Sequence, residues 1–262
     1  MVVSAEPGRA MSEAQLVELL HLVKGADTIE LKLTIPENAQ WSTLRALDID
    51  PLRAQIRQVM FFDTSELDLF HAGVVVRARR SQQRAGDTAV KLRPVEPSDL
   101  PKTLRRLPNF GVEVDALPGG YVCSGSMKGM VEDTRVRATM HGERLPRKLF
   151  SKEQRAFFKV HAPHGIEIDD LTLLGPVAIH KWKWTPKRSN RPMVAELWHY
   201  PDGSQILELS TRCLPGEAHT AAREGMALLR SLGIEISSDQ HTKTKTTLEY
   251  YSRLVRERQA GS

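Results

Sequence analysis

From Thr28 to Pro36 the chain alternates strictly. Ile29, Leu31, Leu33 and Ile35 take one side, and Thr28, Glu30, Lys32 and Thr34 take the other. Successive side chains of a β-strand point to opposite faces, so this period of two predicts a strand with one apolar and one polar face, ended by Pro36. The pattern recurs at 57–64 (RQVMFFDT), 73–81 (GVVVRARRS) and 88–94 (TAVKLRP), with RAGD at 84–87 as the turn between the last two. Further strands are predicted at 121–128, 131–141, 155–162, 177–185, 193–200 and 205–212, and PDG at 201–203 turns the final hairpin.

Helical spacing links Leu16, Leu19, Leu20 and Val23, between an N-cap at Ser12 and a stop at Gly25. Two short helices are predicted between Trp41 and Ile56, around Pro51, and a longer one from Gly216 to Leu232 with Ala221, Met226, Leu229 and Leu232 inward. Residues 95–120 are rich in Pro and Asp and carry the basic patch Lys102–Arg106; they read as an insertion or lid. KTKTTLEYY (243–251) reads as a strand passing into a helix, followed by a charged tail at 253–262. Many short strands with hairpin turns, and helices at intervals, predict an antiparallel α+β fold built on a barrel or curved sheet.

The polar positions then change the picture. Glu30 and Lys32, Arg77 and Arg79, Lys91 and Arg93, and Lys181 and Lys183 each occupy alternate positions of one strand. Such pairs ordinarily mark the solvent face of a half-buried sheet. Here all but Glu30 are cationic, whereas solvent-facing ladders mix signs across neighbours. Closing the sheet would place these pairs on a concave cationic wall suited to a polyanion.

Composition narrows the partner. The 262 residues suffice for a substantial core, divided here into a leader and helix at 1–26, one domain at 27–252 and the tail. Apolar residues at 40% and charged residues at 26% are ordinary for a globular chain. No run approaches the roughly 20 apolar residues of a membrane span, and no apolar stretch marks a secretory signal, so the expectation is a cytoplasmic protein without a membrane partner. Cys123 and Cys213 stand too far apart for a metal clip or a disulfide framework and read as core thiols. The net charge of +5 favours an anionic partner. Aromatics at 6% and the lack of any nucleic-acid-binding motif set nucleic acid aside. His161, His164 and His180 fit no zinc spacing, and Trp182, Trp184 and Trp198 read as packing residues.

The order of these pieces resembles the CYTH superfamily, the triphosphate tunnel metalloenzymes, which includes class IV adenylyl cyclases, thiamine triphosphatases and bacterial inorganic triphosphatases. That family opens with ExExK, matched here by Thr28-Ile29-Glu30-Leu31-Lys32. Its YYDTxxxxLxxxGxxLRxR segment is matched by FFDTSELDLFHAGVVVRAR at 61–79, and its TxK strand by Ala89-Val90-Lys91. KWKW (181–184), VAELW (194–198), PDGSQILELS (201–210) and KTKTTLEYY follow, so the resemblance covers residues 27–251 in order.

The resemblance implies an eight-stranded antiparallel barrel with flanking helices, enclosing a tunnel whose basic residues hold phosphates and whose acidic residues hold Mg²⁺ or Mn²⁺. Carried over, Lys32, Arg77, Arg79, Lys91 and Lys183 become phosphate contacts, with Arg93, Lys181, Arg155 and Lys245 as additions. Glu30, Glu196 and Glu208 become metal ligands. Thr28 replaces the first Glu of ExExK, and Glu208-Leu209-Ser210 keeps one carboxylate of a later ExE. Three carboxylates suffice for one Mg²⁺, and a second ion is harder to support. The implied activity is metal-dependent hydrolysis of inorganic triphosphate or another triphosphate-containing compound, with no general base identified. The alternatives are a non-catalytic polyphosphate or nucleotide binder with a degraded metal site, and an adenylyl cyclase.

Overall fold

The strands turn their charged faces inward and their apolar faces outward, against helices, in the computed structural model, which describes residues 3–4, 22–118, 120–187, 189–237 and 243–261. The strands are β1 (Val3–Ser4), β2 (Thr28–Ile35), β3 (Gln55–Asp63), β4 (Val74–Ser81), β5 (Arg84–Leu92), β6 (Phe110–Leu117), β7 (Gly120–Val131), β8 (Thr172–Trp184), β9 (Met193–His199) and β10 (Gln205–Cys213). Their order is β7-β5-β4-β3-β8-β9-β10-β2-β6, and β6 pairs back with β7, closing a barrel of nine strands. The short β1 lies alongside the start of β7.

The α+β barrel is therefore present, with one strand more than the eight expected. The addition is β6, inside the 95–120 segment read as an insertion or lid. Phe110, Val112 and Val114 alternate into the outer core while Glu113 and Asp115 point to the cavity. β6 pairs antiparallel with β7 but parallel with β2, the one parallel seam among the barrel's pairings.

Among the described residues five helices of seven or more residues flank the barrel: α1 (Gln40–Ala46), α2 (Asp133–Met140), α3 (Lys152–His161), α4 (Ala218–Ser231) and α5 (Lys243–Ala260). Three of them correct strand assignments: α5 is helical from Lys243, where a strand passing into a helix was expected, and α2 and α3 replace strands. Residues 133–140 are helical, with Asp133 in the first turn, where a carboxylate complements the helix dipole, and with Val136 and Thr139 buried at a spacing of three. Residues 152–161 are helical because Ser151 and Gln154 form a reciprocal capping box and Phe157 and Phe158 share the buried side. Residues 253–260, expected as a tail, continue α5. Of the first expected helix, Leu22 to Gly25 are helical; Ser12, Leu16, Leu19 and Leu20 lie outside the described residues.

The core is a shell between barrel and helices. Met60, Phe62, Val74 and Val76 meet Val136, Phe150, Phe157 and Phe158 on one side, and Ile35, Leu197, Leu207 and Leu209 meet Leu44 and Leu229 on another. A third cluster lies inside the barrel rather than in that shell: Val59, Phe61, Val75, Val177, Ile179 and Trp198, on the same strand faces as Arg57, Arg77, Lys181 and Glu196, pack against Leu248 of α5. That helix is fastened by three further contacts. Tyr200 and Thr247 hydroxyls lie 3.1 Å apart, Tyr251 donates to the Pro176 carbonyl at 2.7 Å, and Ser252 donates to the Ser65 carbonyl at 2.7 Å. Cys123 and Cys213 are buried free thiols, as expected. Among the described residues no helix is long and apolar enough to cross a membrane.

Asp63, the acidic residue of FFDT, plays an architectural part. Its carboxylate is buried and accepts the backbone N–H groups of Thr64 (2.8 Å), Leu69 (2.9 Å) and Phe70 (3.0 Å), which closes the loop between β3 and β4. Hydrogen bonds to a charged acceptor are worth about 1.5–3 kcal/mol each, and orphaned buried donors add to the loss. Asp63→Ala is expected to lower unfolding stability by about 3 kcal/mol in chemical denaturation, with Asp63→Asn losing less. An unchanged midpoint in Asp63→Ala would show that the loop does not depend on this carboxylate.

Candidate functional site

Each of the nine barrel strands sends at least one side chain into a single cavity of about 870 Å³. Ten basic and seven acidic residues line it, a surplus of three positive charges. Strand register decides which of them meet. Glu30 lies beside Asp115 across β2–β6 and opposite Arg212 across β2–β10. Glu196 faces Glu208 on one side and Lys181 on the other. Arg79 faces Asp87 across β4–β5.

Asp115 is the centre of one group. It is fully buried, with Lys32 at 2.8 Å, Arg93 at 3.0 Å and Lys91 at 4.0 Å. Burial pushes its carboxyl up, but those three cations outweigh it and hold the group well below the usual carboxylate range. Glu30 completes the arrangement, 3.3 Å from Lys32, and Arg212 reaches Glu113 at 2.6 Å and Glu30 at 3.4 Å. Burial likewise opposes the charge on Lys32, yet Asp115, Glu30 and Glu208 raise its affinity for the proton above the ordinary value.

A second group carries more positive charge. Arg79 holds Asp87 through Nε (2.9 Å) and Nη2 (2.8 Å), and Arg77 stands 3.8 Å from the same carboxylate. Burial, then the neighbouring Arg79, pushes the Arg77 guanidinium down to about 10, so it keeps its charge at neutral pH. Burial and Arg79 also lower Arg57, which lines the same wall. In a third group Lys243 bridges Glu196 and Glu208 at 2.7 Å from each, and Lys181 takes the other oxygen of Glu196 at 2.9 Å.

The carboxylates suit a divalent cation at one place. Ligand atoms of Glu30, Glu113 and Asp115 all lie within 4.8 Å of one another. Oxygens on opposite sides of a Mg²⁺ at about 2.1 Å stand about 4.2 Å apart, so small side-chain adjustments bring all three into contact with one ion. The parallel seam creates this group by setting Thr28 and Glu30 beside Glu113 and Asp115. The Thr28 hydroxyl points at Glu113, 3.5 Å away.

Of the residues expected to bind phosphate, Lys32, Arg77, Arg79, Lys91, Arg93 and Lys181 line the cavity. Three expected contacts lie elsewhere. Lys183 is exposed at the barrel rim, opposite Val194. Arg155 sits on helix α3, bonding the carbonyls of Phe150 and Arg147. Lys245 points to solvent and pairs with Glu249, because on a helix two residues apart lie on nearly opposite faces; Lys243 takes the inward position. The expected metal ligands Glu30, Glu196 and Glu208 share the cavity, but Lys243 separates the last two from the first. Glu113, Asp115, Arg57, Asp87, Arg212 and Lys243 were not anticipated. For Glu113 and Asp115 the signal was present in the alternation of Val112-Glu113-Val114-Asp115. Trp198, expected as packing, is buried yet also lines the cavity, with Lys243 5.0 Å from its ring centre.

Lys91 gives the cavity a pH dependence. Burial pushes its ammonium down to about 8; Asp115 opposes this, and Lys32 and Arg93 reinforce it. A lysine depressed to this extent carries its charge below pH 8 and loses it as pH rises through that value, and a bound anion favours the charged form. Metal-free affinity for inorganic triphosphate, measured by calorimetry, is therefore expected to fall between pH 7 and pH 9. Lys91→Arg, which stays charged, should flatten that fall. Identical pH profiles for the two proteins would exclude Lys91 from the anion's contacts.

No family model matches the sequence, and no curated protein is similar to it. Solved structures are similar in fold. A proposed adenylate cyclase from Bacillus halodurans aligns with a TM-score of 0.57 at 12% identity, over 84% of this chain and 98% of that one. A proposed adenylyl cyclase from Hippeastrum, described as revealing a dominant triphosphatase activity, aligns with a TM-score of 0.60 at 15% identity, over 83% of this chain and 93% of that one. At such identities the likeness speaks for architecture, and it agrees with the closed sheet, the inward charges and the flanking helices: the chain has a CYTH-like tunnel fold.

Proposed function

We propose that the protein is a metal-dependent phosphohydrolase acting on inorganic triphosphate or another triphosphate-containing compound. The observation that carries this reading is that one cavity holds three carboxylates spaced for a divalent cation beside a wall of Lys and Arg with surplus positive charge. Glu113 stands next to Thr28 and supplies a carboxylate where the ExExK pattern lacks one. The triphosphatase activity described for the Hippeastrum protein of the same fold supports the same reading.

A divalent ion held by Glu30, Glu113 and Asp115 would polarise phosphate oxygens. The chain's own residues supply the rest. Lys32, Lys91 and Arg93, gathered at Asp115, hold the phosphates nearest the carboxylates, and Arg57, Arg77, Arg79 and Lys181 hold those beyond. Guanidinium groups grip phosphate through two parallel hydrogen bonds, while ammonium groups act as compact point charges. When the terminal phosphoryl group is transferred, charge moves onto the leaving phosphate. Arg77 and Arg79, already fixed on the wall by Asp87, stabilise it there with little reorganisation.

A second reading, a binder without turnover, is favoured by one observation: Lys243 bridges Glu196 and Glu208, two of the carboxylates expected to hold the metal. Phosphate release from inorganic triphosphate, with Mg²⁺, Mn²⁺ or EDTA, separates the two. The expected result is turnover that requires metal and is lost in Glu113→Gln. Arg77→Ala is expected to be slower by at least about 30-fold, equivalent to about 2 kcal/mol of transition-state stabilisation. Folded wild type that inorganic triphosphate stabilises against heat, but that releases no phosphate, would establish the binder instead. Conversion of ATP to a cyclic product would assign a cyclase.

A further inference from the structure

Glu196 and Glu208 are direct neighbours across β9–β10, Glu208 buried and Glu196 partly so, and both are turned into the cavity. Two adjacent carboxylates in such surroundings repel each other, and a cation between them offsets that repulsion. That cation is part of the chain. Lys243 Nζ lies 2.7 Å from Glu196 Oε2 and 2.7 Å from Glu208 Oε1, and the Trp198 ring covers a further side. With Lys181 on Glu196 Oε1, two cations answer two anions.

The position of Lys243 has no explanation in its own helix. It is the first residue of the eighteen-residue α5, where the helix dipole disfavours positive charge, and the first turn contains no acidic residue. Its placement is accounted for by the two carboxylates it meets. It is also held there, since α5 is fastened to the barrel through Thr247, Tyr251 and Ser252. Lys32, which touches both Glu30 and Asp115, lines the same cavity but belongs to a barrel strand and not to a docked helix, and there an incoming phosphate would offer it another partner.

We propose that Lys243 is a built-in replacement for a second divalent cation, so that Glu196 and Glu208 bind no metal and the cavity takes a single ion at Glu30, Glu113 and Asp115. This rests on the metal-dependent reading above and specifies its stoichiometry.

Mn²⁺ binding to the full chain, counted by titration calorimetry and by the paramagnetic resonance of free Mn²⁺, tests it. Wild type is expected to bind one ion per chain, and Lys243→Met, neutral and of similar length, two. The second ion should be lost again when Glu208→Gln is added. A count that does not rise in folded Lys243→Met overturns the proposal. A wild-type count of two overturns it without any variant, as does a count of two in Lys243→Arg, which keeps the cation. No ion in wild type but one in Lys243→Met would support the replacement while overturning the metal-dependent reading of Glu30, Glu113 and Asp115.

Discussion

Charge inside this barrel has to be matched nearly group for group. Moving an ion out of water costs several kcal/mol unless a partner of opposite sign and suitable geometry receives it. The inner wall meets that demand across strands: Arg79 with Asp87, Lys181 with Glu196, Lys32 with Asp115, and Arg212 with Glu113. The arrangement ties neighbouring strands to one register, because slipping a strand by one residue would move its charges into the apolar shell. What the pairing leaves over is a surplus of three positive charges, which defines the chemistry of the guest. A polyanion entering the cavity would not meet bare cations; it would compete with carboxylates already in place. Selectivity then lies in offering more oxygens, better arranged, than Asp87 and Asp115 do.

Much of the wall was legible in the chain. A period of two fixes which residues share a face without knowledge of the partner strand, so Glu30, Lys32, Arg77, Arg79, Lys91 and Lys181 could be placed together from their own segments. Which cation meets which carboxylate is a property of register between distant segments, and it stayed hidden. β6 was missed although Val112-Glu113-Val114-Asp115 shows the same alternation as β2, because Pro101, Pro108 and Pro118 surround it with turn-forming residues. Two of the three misplaced phosphate contacts share one cause, while Lys183 lies on its strand but at the exposed rim. Lys245 and Arg155 were taken to lie on strands, where neighbours two apart agree in direction; on helices they disagree, and that single change in local geometry exchanged Lys245 for Lys243.

The three carboxylates and the bridging lysine divide the cavity's acidic residues by function. Glu30, Glu113 and Asp115 come from the seam between β2 and β6, with cations that can turn toward phosphate, whereas Glu196 and Glu208 are closed off by a group carried on a docked helix. The helix at the end of the chain thus contributes to the electrostatics of the site as well as to packing.

The parallel seam also ties function to the act of folding. Thr28 and Glu113 are 85 residues apart in sequence, and the chain between them contains β3, β4 and β5 of the barrel. Joining ends so distant carries a large loop-closure entropy, and contacts of this range slow folding. The residues that would take a cation are the ones on either side of that seam, so a sheet that has formed all its hairpins but not closed has cationic strands and no place for a metal. The candidate cation group is thus available only to a chain that has formed this long-range seam.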